Sequence, residues 1–266
     1  MSDWEPELYN RFRRYRYEPV EAILARLPIS ADERIADLGC GSGENTIELA
    51  RRAVAGRVTG IDSSPAMIDA ANKARAELPP ALGDRVAFMV GDISRLEAAA
   101  QYSIIFSNAA LQWIPHHRDV LSAWFRALAP GGRMVVQMPA NDRETAKVEL
   151  GNLAREEPWR SMLSGVDQSF REVPPPEKYA SILHEIGFIE VDCYYHTFHH
   201  PMLSPSEVVE WYRATGLRPF INALPERHRA PFLDAYRGRL ERAYGTTAKM
   251  TFGFKRLFIW GRRPAA

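Results

Sequence analysis

Three glycines alternate in Asp37-Leu38-Gly39-Cys40-Gly41-Ser42-Gly43, directly behind the apolar run Arg34–Leu38. Glycine turns tightly and lets the backbone approach a ligand with no side chain in between. The segment behind the loop, from about Asn45, reads as a helix. Its first N–H groups lack intrahelical acceptors and carry a partial positive charge. In dinucleotide sites such a loop and helix hold a pyrophosphate. Here the spacing is G-x-G-x-G, Glu44 stands where a third glycine would fall, and Asp37 adjoins the loop. A carboxylate there repels a pyrophosphate and suits a ligand that carries an ammonium group.

Three further markers follow in order. Gly60-Ile61-Asp62-Ser63-Ser64-Pro65 places Asp62 23 residues beyond Gly39, where an acid can bind both hydroxyls of a ribose. Ser63 or Ser64 can cap the next helix, which leaves Asp62 and its neighbour Ser63 for the ligand. In Val90-Gly91-Asp92-Ile93 the carboxylate can accept from an exocyclic amine and Ile93 can cover a ring, although an Asp after a strand also simply starts turns. Ser107-Asn108-Ala109-Ala110-Leu111-Gln112-Trp113 leaves a fourth strand. There Asn108 and Ala109 adjoin the ligand, and Gln112 and Trp113 stand where a transferred group would project. All four markers end strands, which is where open α/β sheets bind ligands.

The elements that must position them alternate. Strands are expected at Arg34–Leu38, Arg57–Ile61, Arg85–Val90, Tyr102–Phe106 and Arg133–Met138. Helices are expected near Glu18–Arg26, Asn45–Ala53, Pro65–Leu78 and Val120–Leu128, the last stopped by Pro130-Gly131-Gly132. Later come a helix at Glu177–Ile186 capped by Gly187, a strand at Ile189–Thr197, helices across Pro201–Gly245 and a final strand at Thr251–Trp260. Strands alternating with helices read as a doubly wound α/β sheet. The expected organisation is one domain over 1–266. Its parts are an N-terminal helical lid segment (1–30), a ligand-binding core (31–138), helical insertions forming a cap (139–172 and 201–245) and the last strand (246–266).

With 46% hydrophobic residues in 266, such a chain can bury about 70–75% of its unfolded surface, which excludes a disordered or fibrous whole. Two cysteines, Cys40 and Cys193, make no disulfide framework, so a cytoplasmic location is expected. MSDWEPELYN carries three acids and is no signal peptide, and no run is apolar enough to span a membrane. The 34 basic residues against 33 acidic ones hide an asymmetry. Residues 211–266 hold twelve basic and three acidic residues, and 29 of the 34 cations are arginine. His116-His117 and His196-x-x-His199-His200 lack acidic or cysteine partners at ligand spacing, so no metal is expected.

These motifs resemble the class I S-adenosylmethionine-dependent methyltransferases. DLGCGSG is similar to their first motif, GIDSS to the segment with their ribose-binding acid, VGDI to their adenine-contacting motif and LAPGGRMVV to the turn into their fifth strand. The resemblance implies a seven-stranded, mostly parallel, Rossmann-like sheet whose last strand is antiparallel and lies beside the sixth. It implies S-adenosylmethionine as cofactor and S-adenosylhomocysteine as product. MSDWEPELY, IDSSPAMI, NAALQWIPHH, VVQMP, ATGLRPF and RLFIWGRR together resemble the trans-aconitate 2-methyltransferase family, over the whole chain. That implies methylation of one carboxylate of trans-aconitate to a monomethyl ester.

A carboxylate acceptor, ionised at neutral pH, needs no general base, so no dedicated catalytic residue is expected. It needs donors, and Arg and Tyr suit that. They cluster at Tyr9–Tyr17 and Trp211–Pro219, so Tyr9, Arg14, Tyr17, Trp211 and Arg218 join Gln112 and Trp113 as acceptor-binding candidates. The N-terminal segment and the 201–245 insertion are expected to close over the cofactor. Partners are then a small polycarboxylate, with neither nucleic acid nor membrane. A phenol or amine acceptor, an RNA methyltransferase using the arginine-rich end, and a nicotinamide dehydrogenase stay open on the residues alone.

Overall fold

The computed structural model describes residues 12–166, 173–213 and 216–265; Tyr9 lies outside the described residues. Seven strands form one sheet: β1 (Arg34–Leu38), β2 (Arg57–Asp62), β3 (Val86–Val90), β4 (Tyr102–Asn108), β5 (Leu128–Pro139), β6 (Ile189–Met202) and β7 (Met250–Arg262). Their order is β3-β2-β1-β4-β5-β7-β6. Neighbours from β3 to β5 are parallel, and β7 runs antiparallel to β5. The inner strands β1 and β4 are buried along most of their length. Both faces are covered, so burial is continuous along most of RIADL and YSIIFSN rather than alternating.

Helices Glu44–Arg52 and Pro65–Ala76 carry the chain from β1 to β2 and on toward β3. The chain then returns to lay β4 on the other side of β1. The carboxyl ends of β1 and β4 therefore flank the point where winding reverses, which opens a crevice for a ligand.

One expected stop signal works differently. The helix read at Val120–Leu128 runs His117–Ala127, and β5 starts at once. Pro130-Gly131-Gly132 lies inside β5, where the register jumps from Leu128↔Tyr102 to Arg133↔Ile104. The triplet makes a bulge, with Gly131 at φ 75, rather than a helix terminator. The helix expected from Glu18 already begins at Arg13.

The chain divides into two compact units. The sheet unit takes residues 19–139, 174–196 and 256–266. The helical unit takes residues 1–18, 140–173 and 197–255, with helices at Thr145–Ala154, Trp159–Met162, Pro205–Arg213, Arg218–Ala223 and Glu226–Tyr244. Its core is aromatic: Trp211, Tyr212, Phe220, Phe232, Tyr236 and Phe252 are buried together. Their polar tips are paired, as buried tyrosines require. Asn141 Nδ2 donates to Tyr212 Oη at 2.7 Å, and Tyr236 Oη donates to the Ala146 carbonyl at 2.7 Å.

Candidate functional site

The glycine loop follows β1 with three left-handed residues, Gly39, Gly41 and Gly43. Two of them are demanded by packing. A Cβ on Gly39 would stand 2.2 Å from the Ala110 Cβ, and one on Gly43 2.5 Å from the Phe88 ring. At Gly41 a Cβ would meet nothing within 4 Å, so this is the position where a ligand can approach the backbone. Asp62 holds the loop in place. Its Oδ2 accepts the Gly41 N–H and its Oδ1 the Ser64 N–H, each at 2.9 Å. Each oxygen keeps a second lone pair, so the carboxylate can still take ribose hydroxyls. Ser64 caps helix Pro65–Ala76 by accepting from the Met67 N–H, and Ser63 is exposed.

Asp37 is the most perturbed acid of the site. It is 1% exposed, and Thr46 Oγ1 donates to its Oδ2 at 2.6 Å, while its Oδ1 has no hydrogen-bond partner. Burial pushes its pKa from 3.8 up to about 7, against the lowering effect of Thr46 and with a further push from the Asp62 charge. An orphaned carboxylate oxygen at the end of β1 calls for a donor, and an ammonium group supplies one together with the compensating charge. The residues present therefore fit an aminoacyl nucleoside. Thr46 was not singled out in the sequence; nine residues separate it from Asp37 and only the strand-loop-helix turn joins them. Burial and the Asp37 and Asp62 charges push the Cys40 thiol well up, so it stays protonated and packs.

Asp92 stands after β3 and caps a short 3-10 turn, Ile93–Arg95. The Ser94 hydroxyl and N–H both donate to its Oδ1, at 2.6 and 2.9 Å, and hold it below the ordinary carboxylate range. Asp92 thus starts a turn and also presents an ionised acceptor. Ile93 is buried, with its Cδ1 3.6 Å from where a Gly39 Cβ would be.

The loop after β4 closes the group. Ala109, at φ 56, donates its N–H to the Gln137 carbonyl, and Gln112 Nε2 donates to the Ala109 carbonyl, both at 2.8 Å. Asn108 Oδ1 and Gln112 Oε1 are buried with no hydrogen-bond partner. Trp113 is 75% exposed. The ten cofactor candidates thus all lie in the sheet unit, along the ends of β1 to β4.

The acceptor candidates from the arginine-rich segments fall in the helical unit. Trp211 is part of its aromatic core, with Phe12 at 5.4 Å, His200 at 5.2 Å and the Arg16 guanidinium at 5.3 Å from its ring. Arg14 lines a cavity of about 910 Å³ with Lys249, Glu207 and Met202. Tyr17 and Arg218 are half-buried, and Arg218 opens a new helix rather than continuing that of Arg213. Among the described residues, no group of three His, Cys, Asp or Glu could hold a metal, and no helix is long and apolar enough to cross a membrane.

Residues 35–132 match the family described as a methyltransferase domain. The trans-aconitate 2-methyltransferase of Paracidovorax citrulli is 38% identical over 269 residues, covering 100% of both chains. That of Escherichia coli is 39% identical over 99% of both. Among solved structures, Haemonchus contortus phosphoethanolamine N-methyltransferase 2, in complex with S-adenosyl-L-methionine, superposes with a TM-score of 0.59 over 93% of this chain and 53% of that one. At 20% identity that likeness is one of fold. The full-length identity, helical unit included, goes further: this chain belongs to the trans-aconitate 2-methyltransferase family.

Proposed function

We propose that the chain transfers the methyl group of S-adenosylmethionine to one carboxylate of trans-aconitate, giving a monomethyl ester and S-adenosylhomocysteine. The observation that carries this reading is the likeness to proteins named for that activity across all 269 aligned residues. The site's geometry agrees with it. Bound S-adenosylmethionine supplies an electrophilic methyl on a sulfonium centre. Asp37 takes the ammonium group of the cofactor, the Gly41 backbone lies along its chain, and Asp62 beside Ser63 receives the ribose hydroxyls. Asp92 accepts from the adenine amine while Ile93 covers the ring, and Asn108 and Ala109 line the end nearest β4.

The acceptor carboxyl, with an ordinary pKa near 4, is ionised at neutral pH, so the chain need not remove a proton. A carboxylate oxygen forms the new C–O bond as the C–S bond breaks, and the electron pair stays on sulfur. The protein's work is alignment and exclusion of water. Gln112 and Trp113 are assigned to that task. A cytoplasmic location and a small-molecule partner accompany this reading.

The test is transfer of labelled methyl from S-adenosylmethionine to trans-aconitate, cis-aconitate, citrate and isocitrate. The expected result is label in trans-aconitate, released by mild base as an ester is. Absence of label in every tricarboxylate would refute the acceptor.

A further inference from the structure

Gln137 sits on β5 opposite Asn108 of β4. It is fully buried, yet neither its Oε1 nor its Nε2 has a hydrogen-bond partner. With Asn108 Oδ1 and Gln112 Oε1, four polar atoms of one strand-end corner are buried in the same condition. The buried Ser107 Oγ of the same strand as Asn108, by contrast, donates to the Leu38 carbonyl at 2.8 Å. Native proteins leave few buried amides unsatisfied. A cluster of them beside a binding crevice is made for the groups of a ligand.

The strand register shows what else shares that face. Paired residues of neighbouring strands point the same way, and so do alternate residues of one strand. Asp37, Phe106 and Val135 make one row, and Asn108, Gln137 and Phe258 make the next. Arg256, opposite Pro139, continues the same face at the rim of the sheet and is 7% exposed. Diagonal neighbours across an antiparallel pair lie about 7–8 Å apart, within reach for an amide and a guanidinium that address one ligand.

The sheet order then separates cofactor from acceptor. Asp92, Asp62, Asp37 and Asn108 end the four adjacent strands β3, β2, β1 and β4, about 14 Å across at the usual strand spacing. That width accommodates a nucleoside and its aminoacyl chain. The next strands are β5 and β7, carrying Gln137 and Arg256.

We infer that Gln137 and Arg256 hold the anionic acceptor. The arginine fork takes one carboxylate in two parallel hydrogen bonds. The Gln137 Nε2–H group orients a carboxylate oxygen without neutralising it. The inference rests on the polycarboxylate reading above and names residues for it that lie outside the arginine-rich segments at 9–17 and 211–219.

The experiment compares Gln137→Leu and Arg256→Lys with the unaltered full chain, by trans-aconitate kinetics, S-adenosylhomocysteine calorimetry and thermal melting. Gln137→Leu removes two unmatched polar atoms from the interior, so it should melt at or above the wild-type temperature. Its KM for trans-aconitate should rise about tenfold, the loss of one hydrogen bond to a charged group. S-adenosylhomocysteine affinity should not change. Arg256→Lys keeps the charge, loses the fork and should raise the same KM. A Gln137→Leu chain that melts lower, with unchanged acceptor KM in both variants, would mark these residues as structural and overturn the inference while the polycarboxylate reading stands. A wild-type chain inert toward every tricarboxylate would overturn that reading itself.

Discussion

In the helical unit the buried hydroxyls of Tyr212 and Tyr236 each have a partner at 2.7 Å. In the sheet unit Asp37, Asn108, Gln112 and Gln137 bury polar atoms that have none. Both units bury polar groups, and four side chains of the sheet unit with unmatched atoms, Asp37, Asn108, Gln112 and Gln137, gather along the strand ends where the winding reverses. Unmatched burial costs stability, so its concentration at one edge is the physical reason to take that edge as the candidate binding place. Aromatic richness marks no such place here, since the helical unit consumes its aromatics in its own packing.

The sharpest way to break that contrast is Trp211→Ala. Its ring is 2% exposed and packs on Phe12, Phe252 and Phe254. Truncating a buried Trp costs about 3–5 kcal/mol, measured by urea unfolding of the full chain. Trp113→Ala removes a ring that is 75% exposed and should leave the unfolding midpoint in place while raising the trans-aconitate KM. Equal loss of stability in the two variants would mean that exposure fails to separate packing from binding in this chain.

Asp37→Asn should act in the opposite direction. The wild-type carboxyl rises from 3.8 to about 7 in the folded chain. Between those values the folded state holds the proton more tightly than the unfolded state. Stability from this group is therefore fully present below about pH 4 and declines as pH rises toward 7. At about 1.4 kcal/mol per unit, the cost reaches at most about 4 kcal/mol above pH 7. Asp37→Asn should melt higher than wild type at pH 8, and the gap should close toward pH 4. Calorimetry supplies the functional half. Wild-type affinity for S-adenosylhomocysteine should climb with pH up to about 7 and then level, because an ammonium group needs the ionised form. The variant should bind weakly, with no such climb.

These differences also explain how far sequence reached. The candidate residues along the strand ends were legible as a group because each follows its own strand within a few positions, so strand, glycine and acid signal together. Whether Gly39 and Gly43 were needed for packing or for the ligand was not legible, since Ala110 and Phe88 come from distant segments. Trp211 read as a pocket residue because it stands beside Tyr212 and near arginines. Its partners Phe12, His200 and Phe252 lie far off in the chain, and a neighbourhood built from remote segments leaves no local pattern. Gln137 left a faint mark, one amide in the apolar run MVVQMP. Its meaning needed the register that sets it beside Asn108 and on the face of Arg256.

Gly41→Ala gives a small expected loss of stability and the narrowest test. The residue adopts φ 54, a left-handed conformation that costs a non-glycine residue about 1–2 kcal/mol. The added methyl meets no protein atom within 4 Å, so nothing further should be lost in melting experiments. If the ligand lies against this backbone, the methyl occupies its space, and S-adenosylhomocysteine affinity should fall well beyond what the stability change implies. Gly39→Ala should instead lose stability outright, because its methyl would lie 2.2 Å from Ala110. A Gly41→Ala chain with undiminished affinity would show that the cofactor passes elsewhere along the edge, and would leave the orphaned Asp37 oxygen without the partner assigned to it.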